Sequence, residues 1–416
     1  MKNASKIFLG LIAALVLVPY SASSYCGQAG ECGCGDRVLN DTVLNSSIDA
    51  CRGKGLEIDA DDVTLNCRGH RITGNTNRSS GIIAEDVQNV TVKNCRVSNY
   101  YSGIQFHNVS NSLLLNNSAS SNYATGIELV NSSDNLLTEN QANGNWDGIY
   151  LEDSSDNRII NNSAHRNKID GLHLFYGSYN NTVRGNNLTR NKGHGLAPAV
   201  CDNRIGKNNT VGLGKPIKYV QNKENIIVED TSRYSEIIFC NVNNSVIRNV
   251  SIINGPLNTD GIILVNSDHN KIVNSYFEDV RTGIYLFRSS SSNKVLNNTV
   301  ISSDLGIRLR YGSNDNLVAG NTIKNTEVYL KAVKNSTGNK FRYNVIEGQN
   351  ISLNYSQDLE LRYSSGGLNF TESGQVLTSE EEGSGLLPVL MLLLVLAVLP
   401  LIYFYIKRSD FGVFSY

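Results

Sequence analysis

Side chains that could do chemistry recur at equivalent positions around a repeated glycine in the first half of the chain. Some stand directly before the glycine and some two positions after it. Carboxylates and imidazoles can exchange protons or bind a cation such as Ca²⁺, and aromatic rings stack on sugars. The candidate ligand-binding patch consists of Glu128, Trp146, Asp147, Tyr150, Asp170, His173 and His194.

The spacing of this patch predicts its geometry if each repeat makes one turn of a coil. Asp147 and Asp170 would then lie one coil apart, at about 4.8 Å, and their repulsion would raise one pKa or attract a cation. The alternative is ordinary solvated surface, because every exposed column of such a coil is polar. Farther along, Ile263, Tyr285 and Arg308 are expected to continue the outward column without an acid.

Two short fragments resemble pieces of the polygalacturonase signature, namely Gly193-His194-Gly195 and Asn258-Thr259-Asp260. In that family the Asn-Thr-Asp element comes before Gly-His-Gly, with a pair of aspartates between them. Here the order is reversed and the aspartate pair is missing. The fragments therefore assign no catalytic residues.

Two independent markers repeat with a period of about 22 residues. The first is a glycine followed by alternating apolar residues, and the second is a pair of asparagines five positions apart. The repeated glycines are Gly81, Gly103, Gly126, Gly148, Gly171, Gly195, Gly261, Gly283 and Gly306. The short alternating stretches between them suit strands, and they match neither the leucine-rich repeat nor the roughly 40-residue propeller blade. The pattern predicts an all-β, right-handed parallel β-helix in which Ile149 and Leu151 point inward.

The eight cysteines all precede residue 241. In an exported protein, disulfides are permitted, and Cys34, Cys51 and Cys67 are expected to staple an N-terminal cap with the first coils, residues 25–80. The pairing stays open among these three and Cys26, Cys32, Cys95, Cys201 and Cys240. A zinc site built from Cys26, Cys32 and Cys34 is an alternative. No resident cofactor or metal is predicted.

Both ends of the chain carry membrane-targeting patterns. Residues 1–24 combine lysines, an apolar run and small residues, which indicates a cleaved signal peptide rather than an uncleaved anchor. The uncharged run from Leu386 to Ile406 would span about 31 Å as a helix, which suits a transmembrane segment better than a buried core helix. Lys407 and Arg408 follow it, which predicts a cytoplasmic tail at 407–416. Coils at 81–370 and a linker at 371–385 complete the organisation.

Composition narrows the choice of partners. The chain is 40% hydrophobic with a formal net charge of −1, and its basic residues are scattered among acidic ones. Without a basic stripe, nucleic-acid binding is not expected. Several Asn-x-Ser/Thr sequons, such as those at Asn89 and Asn108, agree with a glycosylated exterior protein, although a chain rich in these residues also produces them by chance.

Several sequence words resemble archaeal surface proteins of the NosD-like β-helix family. The likeness covers about residues 34–344. The words are Cys34-Gly35-Asp36, the segment from Ala60 to His70, the repeated Gly-Ile-Tyr-Leu, the segment from Gly214 to Tyr219, and the segment from Ile237 to Asn241. The resemblance implies a pectin-lyase-like, right-handed helix on the cell exterior. The founding member delivers copper to nitrous oxide reductase, but the only methionines here are Met1 and Met391, so copper is not carried over.

These observations favour a membrane-anchored extracellular protein with a structural or carbohydrate-binding role at the cell envelope. Its expected partners are carbohydrate or other envelope components, and the membrane itself through residues 386–406. The alternative is a carbohydrate-active enzyme, namely a polysaccharide lyase, an epimerase or a glycoside hydrolase. A metal-delivery accessory protein is a weaker alternative.

Overall fold

The computed structural model describes residues 25–26, 31–75, 78–197, 201–255, 259–354, 359–364, 367–372 and 375–377. Every helix or strand in these residues is a β-strand, and the strands wind into a right-handed β-solenoid of about 13 turns. In this part of the chain no helix is long and apolar enough to cross a membrane. The expected signal peptide at 1–24 and the expected span at 386–406 lie outside the described residues.

The first stack of coils is built from three parallel sheets, which we call A, B and C. Sheet A contains Asp36–Val38, Leu56–Ile58, Ile82–Glu85, Ser102–His107, Thr125–Val130, Asp147–Glu152 and Leu172–Leu174. Sheet B contains Thr42–Val43, Thr64–Asn66, Thr91–Lys93, Leu113–Leu115, Leu136–Thr138, Arg158–Ile160, Thr182–Arg184 and Arg204–Ile205. Sheet C contains Ile48–Cys51, Arg71–Gly74, Arg96–Ser98 and Ser118–Ala119.

The alternation of side chains along each strand builds the core of this stack. Ile149 and Leu151 are both 0% exposed, as predicted, whereas Tyr150 between them points outward. The repeated glycine is required by a close approach between coils. A Cβ at Gly148 would lie 2.5 Å from the backbone oxygen of Gly171, so a side chain cannot be placed there without moving the next coil.

Buried asparagines form ladders along the turns of the stack. The side-chain oxygen of Asn162 accepts hydrogen bonds from the backbone nitrogen of Asn140 at 2.9 Å and from its amide at 3.0 Å. On the next coil, the side-chain oxygen of Asn186 accepts the same two hydrogen bonds from Asn162, at 2.8 Å from its backbone nitrogen and 3.2 Å from its amide. Each asparagine also donates to a backbone carbonyl, such as that of Leu137 at 2.9 Å. The ladders therefore satisfy the backbone groups that the turns would otherwise bury without partners.

The direction of the stack changes at a tight turn after the first half. Thr210–Val211 pairs antiparallel with Lys215–Glu224, and Gly212 and Gly214 adopt positive φ angles of 53° and 94° between them. These are left-handed backbone angles that favour glycine.

A second stack follows the turn, with two sheets that we call D and E. Sheet D contains Thr210–Val211, Lys215–Glu224, Glu236–Asn243, Ile262–Val265, Thr282–Phe287, Leu305–Arg310, Val328–Val333, Leu359–Ser364, Gly367–Glu372 and Gln375–Leu377. Sheet E contains Ile227–Thr231, Val246–Ile253, Lys271–Val273, Tyr276–Glu278, Lys294–Leu296, Thr299–Ile301, Leu317–Ala319, Thr322–Lys324 and Lys340–Ile346, to which Gln349–Asn354 is added.

The two stacks have separate apolar cores, and the outer face of sheet D packs against the first of them. Ile263 and Tyr285 belong to the core cluster of the first stack and are 0% and 3% exposed. The expectation that they form a solvated outward column is therefore wrong. They do point out of their own coil, but the chain reversal lays that face against the last coils of the first stack.

Four disulfides join all the cysteines, namely Cys26–Cys32, Cys34–Cys51, Cys67–Cys95 and Cys201–Cys240. The first three lie in the N-terminal coils, where stapling was expected, and they leave no thiolate for the alternative zinc site. The fourth ties the last coil of the first stack to sheet D, so it fastens the junction between the stacks.

Candidate functional site

The predicted columns are present in sheet A. Glu128 pairs with Tyr150, and Tyr150 pairs with His173 on the next coil. Asp147 stands beside Thr125 at the start of its strand. The repeat spacing therefore identified the neighbours of Glu128, Asp147, Tyr150 and His173 on adjacent coils.

Hydrogen bonds connect the residues that precede the repeated glycine. The backbone nitrogen of Asp170 donates to Asp147 Oδ1 at 2.9 Å, and that of His194 donates to Asp170 Oδ1 at 2.6 Å. His194 Nδ1 lies 3.2 Å from the same Asp170 oxygen, and His173 Nδ1 lies 3.5 Å from Asp170 Oδ2. Asp170 was expected to point into solvent, but its side chain is only 6% exposed because the two imidazoles and the next coil cover it.

His194 also reaches across the junction to the second stack. Its Nε2 contacts Arg281 Nη2 and lies 3.3 Å from Asp260 Oδ2. Arg281 binds Asp260 through two hydrogen bonds of 3.1 Å and 2.8 Å. Both ring nitrogens of His194 are therefore engaged, Nδ1 by Asp170 and Nε2 by the Arg281–Asp260 pair, so neither nitrogen is free for a ligand.

Asp260 and Arg281 were missed as site residues by sequence reasoning. The fragments that contain His194 and Asp260 had been set aside because their order is reversed, yet folding brings their side chains into contact. Nothing in the repeat spacing gives this contact, because it joins two stacks rather than neighbouring coils.

The pKa values of the two aspartates of the patch are shifted in opposite directions. Burial raises the pKa of Asp147, and the neighbouring charge of Asp170 adds to the effect. Burial would also raise the pKa of Asp170, but the hydrogen bonds and charge of His194, together with His173, outweigh it and lower that pKa. A carboxyl of raised pKa and a carboxyl of lowered pKa therefore lie side by side.

The pKa values of two buried acids of the second stack, Asp260 and Glu236, are also shifted in opposite directions. Burial acts against the charge of Asp260, but Arg281 and His194 hold its pKa far below the usual range. Burial and the charge of Asp260 raise the pKa of Glu236 well above its usual value. Glu236 is 0% exposed, and no side chain in the described part of the chain hydrogen-bonds to its carboxyl oxygens. Burial inside the junction therefore favours the neutral form of this acid.

A cleft of about 510 Å³ opens beside this charged cluster, between the two stacks. One wall comes from the first stack and the other from the second. The first wall consists of Asp170, His173, Phe175, Tyr176, His194 and Ala197. The second wall consists of Arg281, Tyr285, Phe287, Arg288, Arg308, Arg310 and Tyr311.

Aromatic rings lie on both walls of the cleft. Phe175 stacks on Tyr150 with ring centroids 5.9 Å apart, and His173 meets both rings edge-on. On the opposite wall Phe287 lies 5.2 Å from Tyr285 and 5.4 Å from Tyr311. Such contacts fix the orientation of the rings before any ligand arrives.

Four members of the predicted patch, namely Glu128, Trp146, Asp147 and Tyr150, are not among the residues that line the cleft. Glu128 is turned toward its own sheet, where it accepts a hydrogen bond from Ser102 Oγ at 2.6 Å. Trp146 is 49% exposed, and the Lys168 ammonium lies 5.9 Å from its ring centroid. The cleft therefore brings together only the three later members of the patch, Asp170, His173 and His194.

Three groups of the patch could hold a divalent ion. One ligand atom each from Asp147, Asp170 and His173 lie within 4.8 Å of one another. Two carboxylates and one imidazole suit an ion that keeps open positions better than Ca²⁺, which takes six to eight oxygens. For copper(I) the described residues do not fit, because every cysteine is in a disulfide and soft sulfur ligands are what this ion prefers.

Two family matches cover most of the solenoid. Residues 55–211 match the family described as the right-handed β-helix region, and residues 219–384 match the family described as the periplasmic copper-binding protein NosD. The boundary between the matches falls at the turn that separates the two stacks. A search of curated proteins gave no match.

Three solved structures show a distant likeness to this chain. The Dettilon tailspike protein is 14% identical, with a TM-score of 0.36, over 72% of this chain and 59% of that one. The catalytic domain of a GH87 α-1,3-glucanase is 12% identical, with a TM-score of 0.29, over 73% and 65%. The A-module of a mannuronan C-5 epimerase from Azotobacter vinelandii is 12% identical, with a TM-score of 0.27, over 76% and 81%. The alignments thus span less than two thirds of the first two structures. The chain is a right-handed β-helix protein in which residues 55–211 are similar to the right-handed β-helix family and residues 219–384 are similar to the NosD family.

Proposed function

We propose that this protein binds carbohydrate at the cell envelope, with the ligand held in the cleft between the two stacks. The observation that carries the proposal is the pairing of partly exposed rings across the cleft. Phe175 and Tyr176 are 42% and 74% exposed on one wall, and Tyr311 is 43% exposed on the other. Aromatic faces beside convergent polar groups are the usual surroundings of a bound sugar ring.

The envelope location rests on independent features of the chain. Four disulfides are typical of an oxidising compartment outside the cytoplasm. The NosD family is named for a periplasmic protein. With the expected signal peptide at 1–24 and span at 386–406, the solenoid would stand outside the membrane with the tail at 407–416 inside.

A glycan array probed with the purified full-length protein tests the proposal. We expect binding to a limited set of glycans and its loss in Tyr176→Ala. Tyr343→Ala is the matched control, since Tyr343 is also 74% exposed but lies outside the cleft. Equal loss in both variants, or no glycan bound by the wild type, would refute carbohydrate binding in the cleft.

Catalysis on the same carbohydrate is a second candidate, favoured by the opposite pKa shifts of Asp147 and Asp170. An acid of raised pKa beside a carboxyl of lowered pKa is the arrangement that glycoside hydrolases use, and carboxyl oxygens within 4.8 Å of one another are near the roughly 5 Å of retaining enzymes. Reducing-sugar and unsaturated-product assays on each glycan bound would detect it. Turnover that disappears in Asp170→Asn while binding persists would support an enzyme, and no turnover would leave a binding protein.

A further inference from the structure

The second wall of the cleft carries positive charge that has no acidic partner. Arg281 is neutralised by Asp260, but within the described part of the chain neither Arg308 nor Arg310 forms an ion pair with a carboxylate. Lys331, which pairs with Arg308 on the next coil of sheet D, is bound to Glu360. The unpaired charges of Arg308 and Arg310 therefore lie at the cleft, whereas the lysine on the next coil is neutralised.

The guanidinium groups of this wall are held in place by aromatic rings. Arg308 lies over the ring of Tyr285 at 5.0 Å, and Arg310 lies over Tyr311 at 4.4 Å. A guanidinium that stacks by its face leaves its edge, with the N–H donors, free to point elsewhere. The two arginines are two positions apart on one strand, so their donors are separated by about 7 Å along it.

Both arginines also bury donors that lack acceptors. The Nε atoms of Arg308 and Arg310 are buried and have no hydrogen-bond partner. A buried unsatisfied donor costs about 1–3 kcal/mol, more when the group is charged. A ligand oxyanion that accepts from these groups would remove that cost, whereas a neutral hydroxyl would do so less well.

We propose that the cleft selects anionic carbohydrate, with the carboxylates of uronic acid residues bound by Arg308 and Arg310 and the sugar rings lying against the aromatic side chains of both walls. This inference rests on the proposed carbohydrate binding and specifies the charge of the ligand. A planar carboxylate matches the fork of donors on a guanidinium, which makes a uronate a better fit than a tetrahedral sulfate.

Titration calorimetry with a hexuronate oligosaccharide and its carboxyl-reduced, neutral counterpart tests the inference on the full-length protein. We expect the acidic form to bind at least tenfold more tightly, with an affinity that falls as salt rises. In Arg308→Met and Arg310→Met the preference should shrink to less than threefold while neutral binding persists. Arg248→Met is the matched control, because this exposed arginine pairs with Glu229 outside the cleft and should keep the preference.

The outcomes separate this inference from the proposed function. Equal binding of the acidic and neutral forms would overturn the anion selectivity and leave carbohydrate binding intact. Tighter binding of a sulfated oligosaccharide of the same length would overturn the assignment to carboxylates. No binding of any of the three, in a protein that binds other glycans on an array, would also overturn the selectivity, and no glycan binding at all would overturn the proposed function itself.

Discussion

The molecule buries polar side chains in two regions, and the two are built in opposite ways. In the asparagine ladders the same neutral amide recurs on successive coils, and Asn140, Asn162 and Asn186 are joined by hydrogen bonds. At the junction of the stacks the buried groups are ionisable, occur once, and are incompletely paired, as Glu236 and Arg308 show. A repeated and satisfied group is explained by stability alone, whereas a single unsatisfied one is not. The contrast therefore separates the groups that hold the coils together from those available to a ligand.

The largest loss of stability is expected when the buried Arg281–Asp260 ion pair of the junction is broken. Arg281→Met leaves Asp260 buried without its partner, and we expect the free energy of unfolding at pH 7 to fall by about 3–5 kcal/mol. In the wild type the lowered pKa of Asp260 means that its contribution is present above about pH 4 and is lost only in stronger acid.

In the variant that depressing charge is gone, so burial raises the pKa of Asp260 and the deficit should shrink as the pH falls toward about 4. Denaturant unfolding at several pH values measures it. Arg248→Met, which breaks an exposed pair with Glu229, is the control and should cost less than about 1 kcal/mol. A loss of similar size in both variants, independent of pH, would contradict the buried pair.

Removing one asparagine from the ladder should lower the free energy of unfolding almost as much, and this loss should not depend on pH. Asn162→Leu removes the acceptor of two Asn140 donors and the donor to the Leu137 carbonyl, so we expect a loss of about 3 kcal/mol in urea unfolding. Asn187→Leu is the control, because Asn187 is exposed and its side chain bonds only to its neighbour Thr189. Equal stability of the two variants would show that the ladder is dispensable.

Replacing Glu236, the buried acid of the junction, should increase the free energy of unfolding rather than lower it. Because the pKa of Glu236 is raised, the folded state loses stability as the pH rises above the unfolded value of about 4.3. Glu236→Gln removes this loss, and we expect a gain on the order of 1 kcal/mol at pH 7 that vanishes near pH 4. Thermal unfolding across this pH range measures it. A variant less stable than the wild type at pH 7 would mean that Glu236 is a structural group.

The smallest effect is expected at the exposed member of the sequence-predicted patch. Trp146→Ala should change the free energy of unfolding by less than about 0.5 kcal/mol and leave glycan affinity unchanged, because the ring lies outside the cleft. Tyr176→Ala should be equally stable but lose about tenfold in affinity. Titration calorimetry measures the glycan affinity of both variants. A weaker affinity in Trp146→Ala than in Tyr176→Ala would contradict the placement of the ligand in the cleft.

The repeat itself was predictable because its causes are local. The glycine that must admit the next backbone, as at Gly148, and the alternation at Ile149 and Leu151 both follow from one coil, and stacking then fixes the pairing of Tyr150 with His173. Each coil repeats the same contacts, so the sequence shows them many times.

The junction was not predictable because it occurs once and joins residues far apart in the chain. The turn at residues 212–214 gives no sign of where sheet D will lie, and so Tyr285 was expected to be exposed. One sequence feature does indicate that sheet D is covered. The run from Ile237 to Cys240 is apolar without alternation, which indicates a strand buried on both faces and hence a second packing partner for sheet D.

Hydroxyl-radical footprinting of the full-length protein, with and without a saturating glycan found on the array, is the sharpest test of glycan binding in the cleft, because it reports the exposure of individual aromatic side chains. We expect protection of Phe175, Tyr176 and Tyr311, which belong to both walls of the cleft, and unchanged reactivity at Tyr101 and Tyr343, which are exposed elsewhere. Protection confined to Tyr101 or Tyr343, with the cleft residues as reactive as in the free protein, would contradict it.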